Sequence, residues 1–240
     1  MLIIDENLDY EKSNNINYEK WLNIQLKQLQ DKSKYFKKER NKNYTLKKIL
    51  SENKFKVCLE FGVFNGKTIN IISKYCNKVY GFDSFEGLPD DWNGVCKKEH
   101  FQVKGLPTVD NNTILIKGWF NETLEDFLKK NPDIIIDMIH IDCDLYSSTK
   151  DVFNILIKHN KMRKGLIIVF DELINYNKFY EGEIKALYEI NKNNNINFEW
   201  IYTHGNVVNY KDILQKKYQN MTFKQFRNNG FQQEVAIKII

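Results

Sequence analysis

The stretch Ile139-His-Ile-Asp-Cys-Asp-Leu-Tyr-Ser-Ser-Thr149 passes within a few residues from an apolar run into two carboxylates, Asp142 and Asp144. A second apolar run, Gly165-Leu-Ile-Ile-Val-Phe170, stops in the same way on Asp171-Glu172. Short apolar, β-branched runs bounded by polar residues read as buried strands. Two such strands ending on acids put negative charge at the carboxyl edge of a sheet, where open α/β proteins bind ligands. Carboxylates gathered there form a hard-oxygen pocket suited to Mg²⁺ or Ca²⁺. Asp142 and Asp144 stand two apart, so an extended chain points both the same way. Crowded carboxylates repel, which raises at least one pKa unless a cation relieves them. N-capping of the following helices is the alternative role; it accounts for one acid per strand and not for four together.

Outward from these strands the chain alternates. Phe55–Glu60, Lys78–Asp83, Thr113–Lys117, Ile134–Asp142, Leu166–Asp171, Phe198–Thr203 and Glu234–Ile240 read as strands. Between them, 67–75, 123–130, 147–159 and 182–191 read as helices, the third with Ser147 or Ser148 as N-cap. Strands apolar throughout and separated by helices predict a mainly parallel sheet covered on both faces. The connection 84–112, with Pro89, Pro107 and several glycines, is long enough to be a lid. Ahead of the core, 1–17 reads as a polar arm. Tyr18, Leu22, Leu26 and Leu29 share one helical face that must cover the core or a partner subunit. The expected division is therefore an N-terminal arm and helical extension over 1–50 and one α/β domain over 51–240, with a homodimer as the expected assembly.

The 240 residues and 42% hydrophobic content suffice for such a core. Cys58, Cys76, Cys96 and Cys143 show no CxxC spacing and read as reduced thiols. The N-terminus lacks the charged region of a secretory leader, and no apolar run is long enough to span a bilayer, so a cytoplasmic protein with no membrane partner is expected. The net charge of +5 owes much to Lys32–Lys48. That run reads as a solvated helix face and linker rather than a nucleic-acid patch, because Tyr35, Phe36 and Tyr44 form no regular stacking array.

Leu59-Glu-Phe-Gly-Val-Phe-Asn-Gly-Lys-Thr68 follows the first strand. Its glycines permit a tight turn and a close approach of backbone to ligand. The spacing is GxxxG, neither GxGxxG nor a Walker loop. Asp83, ending the next strand 21 positions after Gly62, suits a ribose diol. Gly118-Trp-Phe120 follows the third strand, and its aromatics read equally as a wall for a planar ligand or as core. His140 reads as a core histidine; His204 is balanced between site and structure.

Together these segments resemble class I S-adenosylmethionine-dependent methyltransferases, and more narrowly the macrocin O-methyltransferase family of metal-dependent sugar O-methyltransferases. The resemblance spans Leu59 to Ala186, with an echo in the last strand. It rests on Leu59–Thr68, Gly81-Phe-Asp-Ser-Phe-Glu-Gly-Leu-Pro89, Lys117–Phe120 with Thr123-Leu124, His140–Thr149 and Ile168–Glu172. It implies a Rossmann-like, doubly wound sheet with an antiparallel last strand. It also implies S-adenosylmethionine held by Glu60, Gly62, Phe64, Asn65, Gly66 and Thr68, with Asp83 and Ser84 at the ribose, Gly118 and Trp119 at the adenine, and Asp142 alongside. Asp142, Asp171 and Glu172 would hold Mg²⁺ or another divalent cation, and Asp144 would serve as general base, making Asp142 and Asp144 the catalytic pair. Phe64 departs from a glycine common in the wider class, and Glu172 stands where the antibiotic enzymes tend to carry Asp.

The expected activity is methyl transfer to a hydroxyl of a sugar or nucleotide sugar. Methylation of catechol-like phenols is the alternative, since the same metal chemistry serves both. A nucleic-acid methyltransferase stands third, because the Asn/Asp-Pro-Pro-aromatic motif of amine-methylating enzymes is absent where the chain reads Asp142–Tyr146.

Overall fold

The computed structural model describes residues 6–34, 42–92 and 95–240, and of 6–14 the backbone alone. Residues 1–5 of the expected arm, and Tyr35, Phe36, Lys37, Lys38 and Arg40 of the basic run, lie outside the described residues. The chain opens with α1 (Glu6–Ser33) and α2 (Tyr44–Glu52), then enters β1 (Phe55–Phe61). There follow α3 (Ile69–Ile72), β2 (Cys76–Asp83), β3 (Thr113–Lys117), α4 (Phe120–Lys130), β4 (Met138–Ile141), α5 (Tyr146–Lys158) and β5 (Ile167–Phe170). The last part holds α6 (Glu183–Asn194), β6 (Phe198–Gly205), α7 (Tyr210–Leu214), α8 (Phe223–Asn228) and β7 (Phe231–Ile239).

The strands form one seven-stranded sheet in the order β3-β2-β1-β4-β5-β7-β6. The first five are parallel, and β7 enters antiparallel between β5 and β6. Register is what positions the site. Phe61 lies beside Phe82 and Ile141, and Ile141 beside Phe170. One step further along, Asp83, Gly62, Asp142 and Asp171 therefore fall in one row at the carboxyl edge. Val235 of β7 is paired with Phe170, which brings Glu234 to the same edge from the opposite direction.

Alternation along the strands sends side chains into two apolar layers. On one face Leu59, Phe61, Ile139, Ile141, Ile168 and Phe170 pack under α1, α4, α5 and α6. On the other, Cys58, Val79, Met138 and Val169 meet Leu46, Ile49 and Leu50 of α2 and Ile69 and Ile72 of α3. The expected helical face does cover the core: Leu22, Leu26 and Leu29 are buried, Trp21 Nε1 donates to Asn191 at 3.0 Å, and Trp200 Nε1 donates to Gln25 at 2.9 Å. Among the described residues no helix is long and apolar enough to cross a membrane.

Several boundaries move. The arm expected over 1–17 is helical from Glu6. Residues 134–137 do not join β4; the Asp137 carboxylate instead accepts the Lys56 and Val57 amides at 2.7 and 3.0 Å, so it closes the start of β1. Helix α5 starts at Tyr146 with Leu145 at its N-cap and no side-chain cap bond, so neither Ser147 nor Ser148 caps it. Part of the basic run is α2, whose Thr45, Leu46, Ile49 and Leu50 are buried. Helix α8 opens on a capping box between Thr222 and Gln225 in a segment that carried no legible motif.

Leu26 is 1% exposed beneath the sheet's outer strands. Leu26→Ala is expected to cost about 2–5 kcal/mol of unfolding free energy, seen as a shifted midpoint in a single denaturant transition. A separate early transition would show that α1 is not part of the same cooperative unit.

Candidate active site

A cavity of about 420 Å³ opens at the carboxyl edge, over the row of strand ends. Its floor includes Gly62, Asp83, Asp142 and Asp144, with Glu172 beside them. The φ of Gly62 is +91°, and a Cβ there would lie 1.9 Å from the Asp142 carbonyl oxygen. Glycine is thus required both by backbone angle and by the close approach of β4. Phe64 sits at φ +49° and Asp144 at +62°, so the two loops that bound the floor both turn through left-handed backbone. Asp144 reaches the cavity through that turn and not through the extended alternation that its spacing from Asp142 implied.

Asp83 acts on its neighbours' backbone. One carboxylate oxygen accepts the Val63 and Phe64 amides at 2.7 and 2.8 Å, and the other accepts the Phe85 amide at 2.6 Å. It therefore ties the glycine turn to the end of β2 while still bordering the cavity. Ser84 and Trp119 also line the cavity; Phe120 does so while packing edge-on against Phe61 at 5.5 Å.

Other expected cofactor residues stand outside the cavity wall. Glu60 is fully buried on the α2–α3 side of the sheet, 2.9 Å from His140 Nδ1. Asn65 accepts the Lys67 amide at 3.2 Å inside its own turn, and Gly66 packs against Pro107. Thr68 is nearly buried beside Glu60, and Gly118, at φ +141°, packs against Thr123. Glu60, Gly66 and Thr68 are buried behind the cavity, Gly66 against Pro107, while Asn65 is exposed and Gly118 half-buried beside it.

Asp142, Asp171 and Glu172 each offer a carboxylate oxygen such that the three oxygens lie within 4.8 Å of one another. Burial and the neighbouring Asp171 charge push the Asp142 carboxyl up to about 8. Glu172 and Asp144 are also held well above the carboxylate range, by burial and then by Asp171 for Glu172 and by Asp142 for Asp144. Burial acts on Asp171 in the same sense, but Glu172 and the Lys42 ammonium bring it below its usual value. Lys42 Nζ lies 3.3 Å from Asp171 Oδ2.

Besides Ser84, the described residues of the 84–112 connection that reach the cavity are Gly87, Leu88, Pro89, Trp92 and Phe101. Trp92 is anchored by edge contacts to Tyr176 and to Phe223 of α8, and Phe101 meets Phe64 edge-on at 5.4 Å. Sequence reasoning missed three contributors. Lys42 comes from the segment before α2. Glu183, fully buried at the start of α6, accepts from the Cys143 amide and the Thr149 hydroxyl at 3.3 Å each, which braces the loop carrying Asp142 and Asp144. Phe223 belongs to a stretch without a motif. An acid in the first turn of a helix is the signal that marks Glu183; nothing local marks the other two. His204 lies under α2, its Nδ1 2.8 Å from the Thr45 hydroxyl, and does not line the cavity.

Residues 59–173 match a family model described as a methyltransferase domain. Among solved structures, the chain is similar to CalS11, a calicheamicin methyltransferase, at 24% identity over 64% of this chain and 70% of that one, with a TM-score of 0.51. It is also similar to the O-methyltransferase NovP (16% identity, 81% and 77% covered, TM-score 0.49) and to an rRNA methylase from Streptococcus thermophilus (14%, 83% and 97%, TM-score 0.46). No curated protein sequence matches the chain. The strand order, the glycine turn and the family match together define a class I methyltransferase. The matched domain and this strand order support an S-adenosylmethionine-dependent methyltransferase enzyme.

The Glu60–His140 pair gives the site a pH signature. Burial alone would lower the imidazole's pKa, but the Glu60 carboxylate outweighs it and raises His140 to about 9, against 6.5 unperturbed. A base whose folded-state pKa is raised contributes stability that is complete below about 6.5 and lost as pH climbs through 9. The melting temperature should therefore fall across that window, and His140→Gln should flatten the fall. An unchanged slope in the variant would show that His140 does not titrate there.

Proposed function

We propose that the enzyme transfers the methyl group of S-adenosylmethionine to a hydroxyl oxygen, with a divalent cation at Asp142, Asp171 and Glu172 and a sugar, free or nucleotide-linked, as the acceptor. The carrying observation is the convergence of those three carboxylates, two of them lining the cavity beside Asp144 and the Gly62 turn and Asp171 directly behind. The donor set fits a hard cation: all three ligands are carboxylate oxygens, and buried Glu172 Oε2 has no hydrogen-bond partner. When bound, the cation would lower the pKa of a coordinated hydroxyl and offset the crowded charges.

The protein's own groups would do the rest. Gly62 lets the backbone approach the cofactor, Ser84 and Asp83 border its ribose, and Trp119 forms a flat wall for its base. Asp144 is placed to take the hydroxyl proton; burial and nearby negative charge make it a stronger base than a solvated carboxylate. Trp92, Leu88 and Phe101 cover the cavity against water, and alignment of acceptor and donor is then the main contribution to rate. A cation that kept two coordination positions for substrate would favour a vicinal diol.

Those same lid walls favour a second reading. Leu88, Pro89, Trp92 and Phe101 are apolar, as a catechol ring would require, while the acids beneath serve either diol.

Product mass spectrometry on a panel of nucleotide sugars, simple glycosides and catechols, with and without Mg²⁺, separates the readings. Methylated sugar formed only with Mg²⁺ is the expected result; turnover of catechols alone would move the assignment to phenols. Full activity after exhaustive chelation would remove the metal role. Asp171→Asn should lower turnover by at least about a hundredfold while cofactor affinity, read by calorimetry, stays near that of the parent.

A further inference from the structure

Lys42 is the single cation among the described residues that line the cavity, against the carboxylates of Asp83, Glu122, Asp142, Asp144, Asp151 and Glu172. Its place is built and not incidental. The Glu234 carboxylate, nearly buried on β7, accepts the backbone amides of Asn43 and, at 2.7 Å, of Thr45. Asn43 turns through left-handed backbone (φ 63°) and is 3% exposed. Thr45 Oγ1 and the Tyr44 ring both engage His204, the ring at 5.3 Å. The residues just after Lys42 are thus clamped to the sheet, and the ammonium is delivered to Asp171 Oδ2 at 3.3 Å.

We propose that Lys42 is the acid cluster's own counter-ion, supplied by the segment ahead of α2, and that a divalent cation binds by displacing it. The proposal rests on the reading that Asp142, Asp171 and Glu172 take such a cation. Three acids cannot all ionise in a buried cluster without a compensating charge. The Lys42 ammonium is a point charge on a flexible stem, and that side chain is about half exposed, at 53%. It can therefore rest against Asp171 while the cluster is empty and swing into water when a divalent ion arrives. Two cations competing for the same oxygens repel strongly at such distances. The tethered ammonium therefore weakens divalent binding and keeps it reversible, while preserving the ligands' arrangement between binding events.

The test titrates Mn²⁺ into the full chain, without cofactor or acceptor, for the parent, Lys42→Met and Lys42→Arg. Lys42→Met keeps the stem and removes the charge; it should bind Mn²⁺ on the order of tenfold tighter, whereas Lys42→Arg should stay close to the parent. Metal-free Lys42→Met should melt lower than the parent, and saturating Mn²⁺ should close the gap, which a purely structural lysine would not produce. Parent-like or weaker Mn²⁺ binding by Lys42→Met, with the parent binding normally, overturns the counter-ion role and leaves the metal site standing. No Mn²⁺ binding by any of the three proteins overturns both.

Discussion

Parallel register across β2, β1, β4 and β5 is the constraint on which the rest of this molecule depends. Because Phe82, Phe61, Ile141 and Phe170 are neighbours, whatever follows each of them is brought to one edge. Three of the four following residues are acids, and the fourth is Gly62. A side chain at that position would collide with the Asp142 backbone, so the glycine is what lets β1 and β4 stay paired up to the site. A one-residue slip of any strand would turn its acid away from the edge and its apolar residues towards water.

Concentrating carboxylates at a buried edge is electrostatically costly, and much of the surrounding structure answers that cost. Asp83 is satisfied by three backbone amides. Glu234 is satisfied by the amides that open α2, and one oxygen of Glu60 meets His140 two residues back from the edge. Glu183 braces the loop between the two aspartates from below. Among the described residues, the group of Asp142, Asp171 and Glu172 holds a buried oxygen with no donor, Glu172 Oε2, and its positive neighbours are the half-exposed Lys42 and, from beneath, His140. The residual imbalance lies where the cavity opens, and that coincidence is the physical argument for cation-assisted chemistry there. Trp92, tied to Tyr176 and Phe223, gives the same cavity an apolar wall.

Much of this was legible along the chain because it is written locally. Continuous apolar runs such as Ile167–Phe170 mark strands buried on both faces, and acids that directly follow them mark the edge. What was misread lies where tertiary contacts override local pattern. Ile134 to Ile136 continue the apolar run of β4, yet Asp137 breaks it by capping β1. Glu60 looked like a site residue because it borders the glycine turn; it lies two residues back from the sheet edge, buried against His140 beneath the acids. The lysine-rich run read as a solvated helix face and linker because its charges outnumber its apolar residues, although Leu46 inside it and Ile49 and Leu50 just beyond recur at helical spacing and are buried. Residues 205–232 hold α7 and α8, short helices whose place is set by docking on the lid and on β7.

The sequence by itself determined the alternation of strands and helices, the two acid-terminated strands and the glycine turn, on which the resemblance to a methyltransferase class rests. Each is a near-neighbour pattern, readable from periodicity and from residues a few positions apart. Only the tertiary structure decided which acids share a site and which serve the scaffold. It also decided that a lysine ahead of α2 sits among them, and that an aromatic from α8 secures the lid. Those outcomes depend on register, on the antiparallel insertion of β7 and on helices docking across the sheet, contacts between residues up to 191 positions apart. No local pattern encodes the distance between two side chains that only folding brings together.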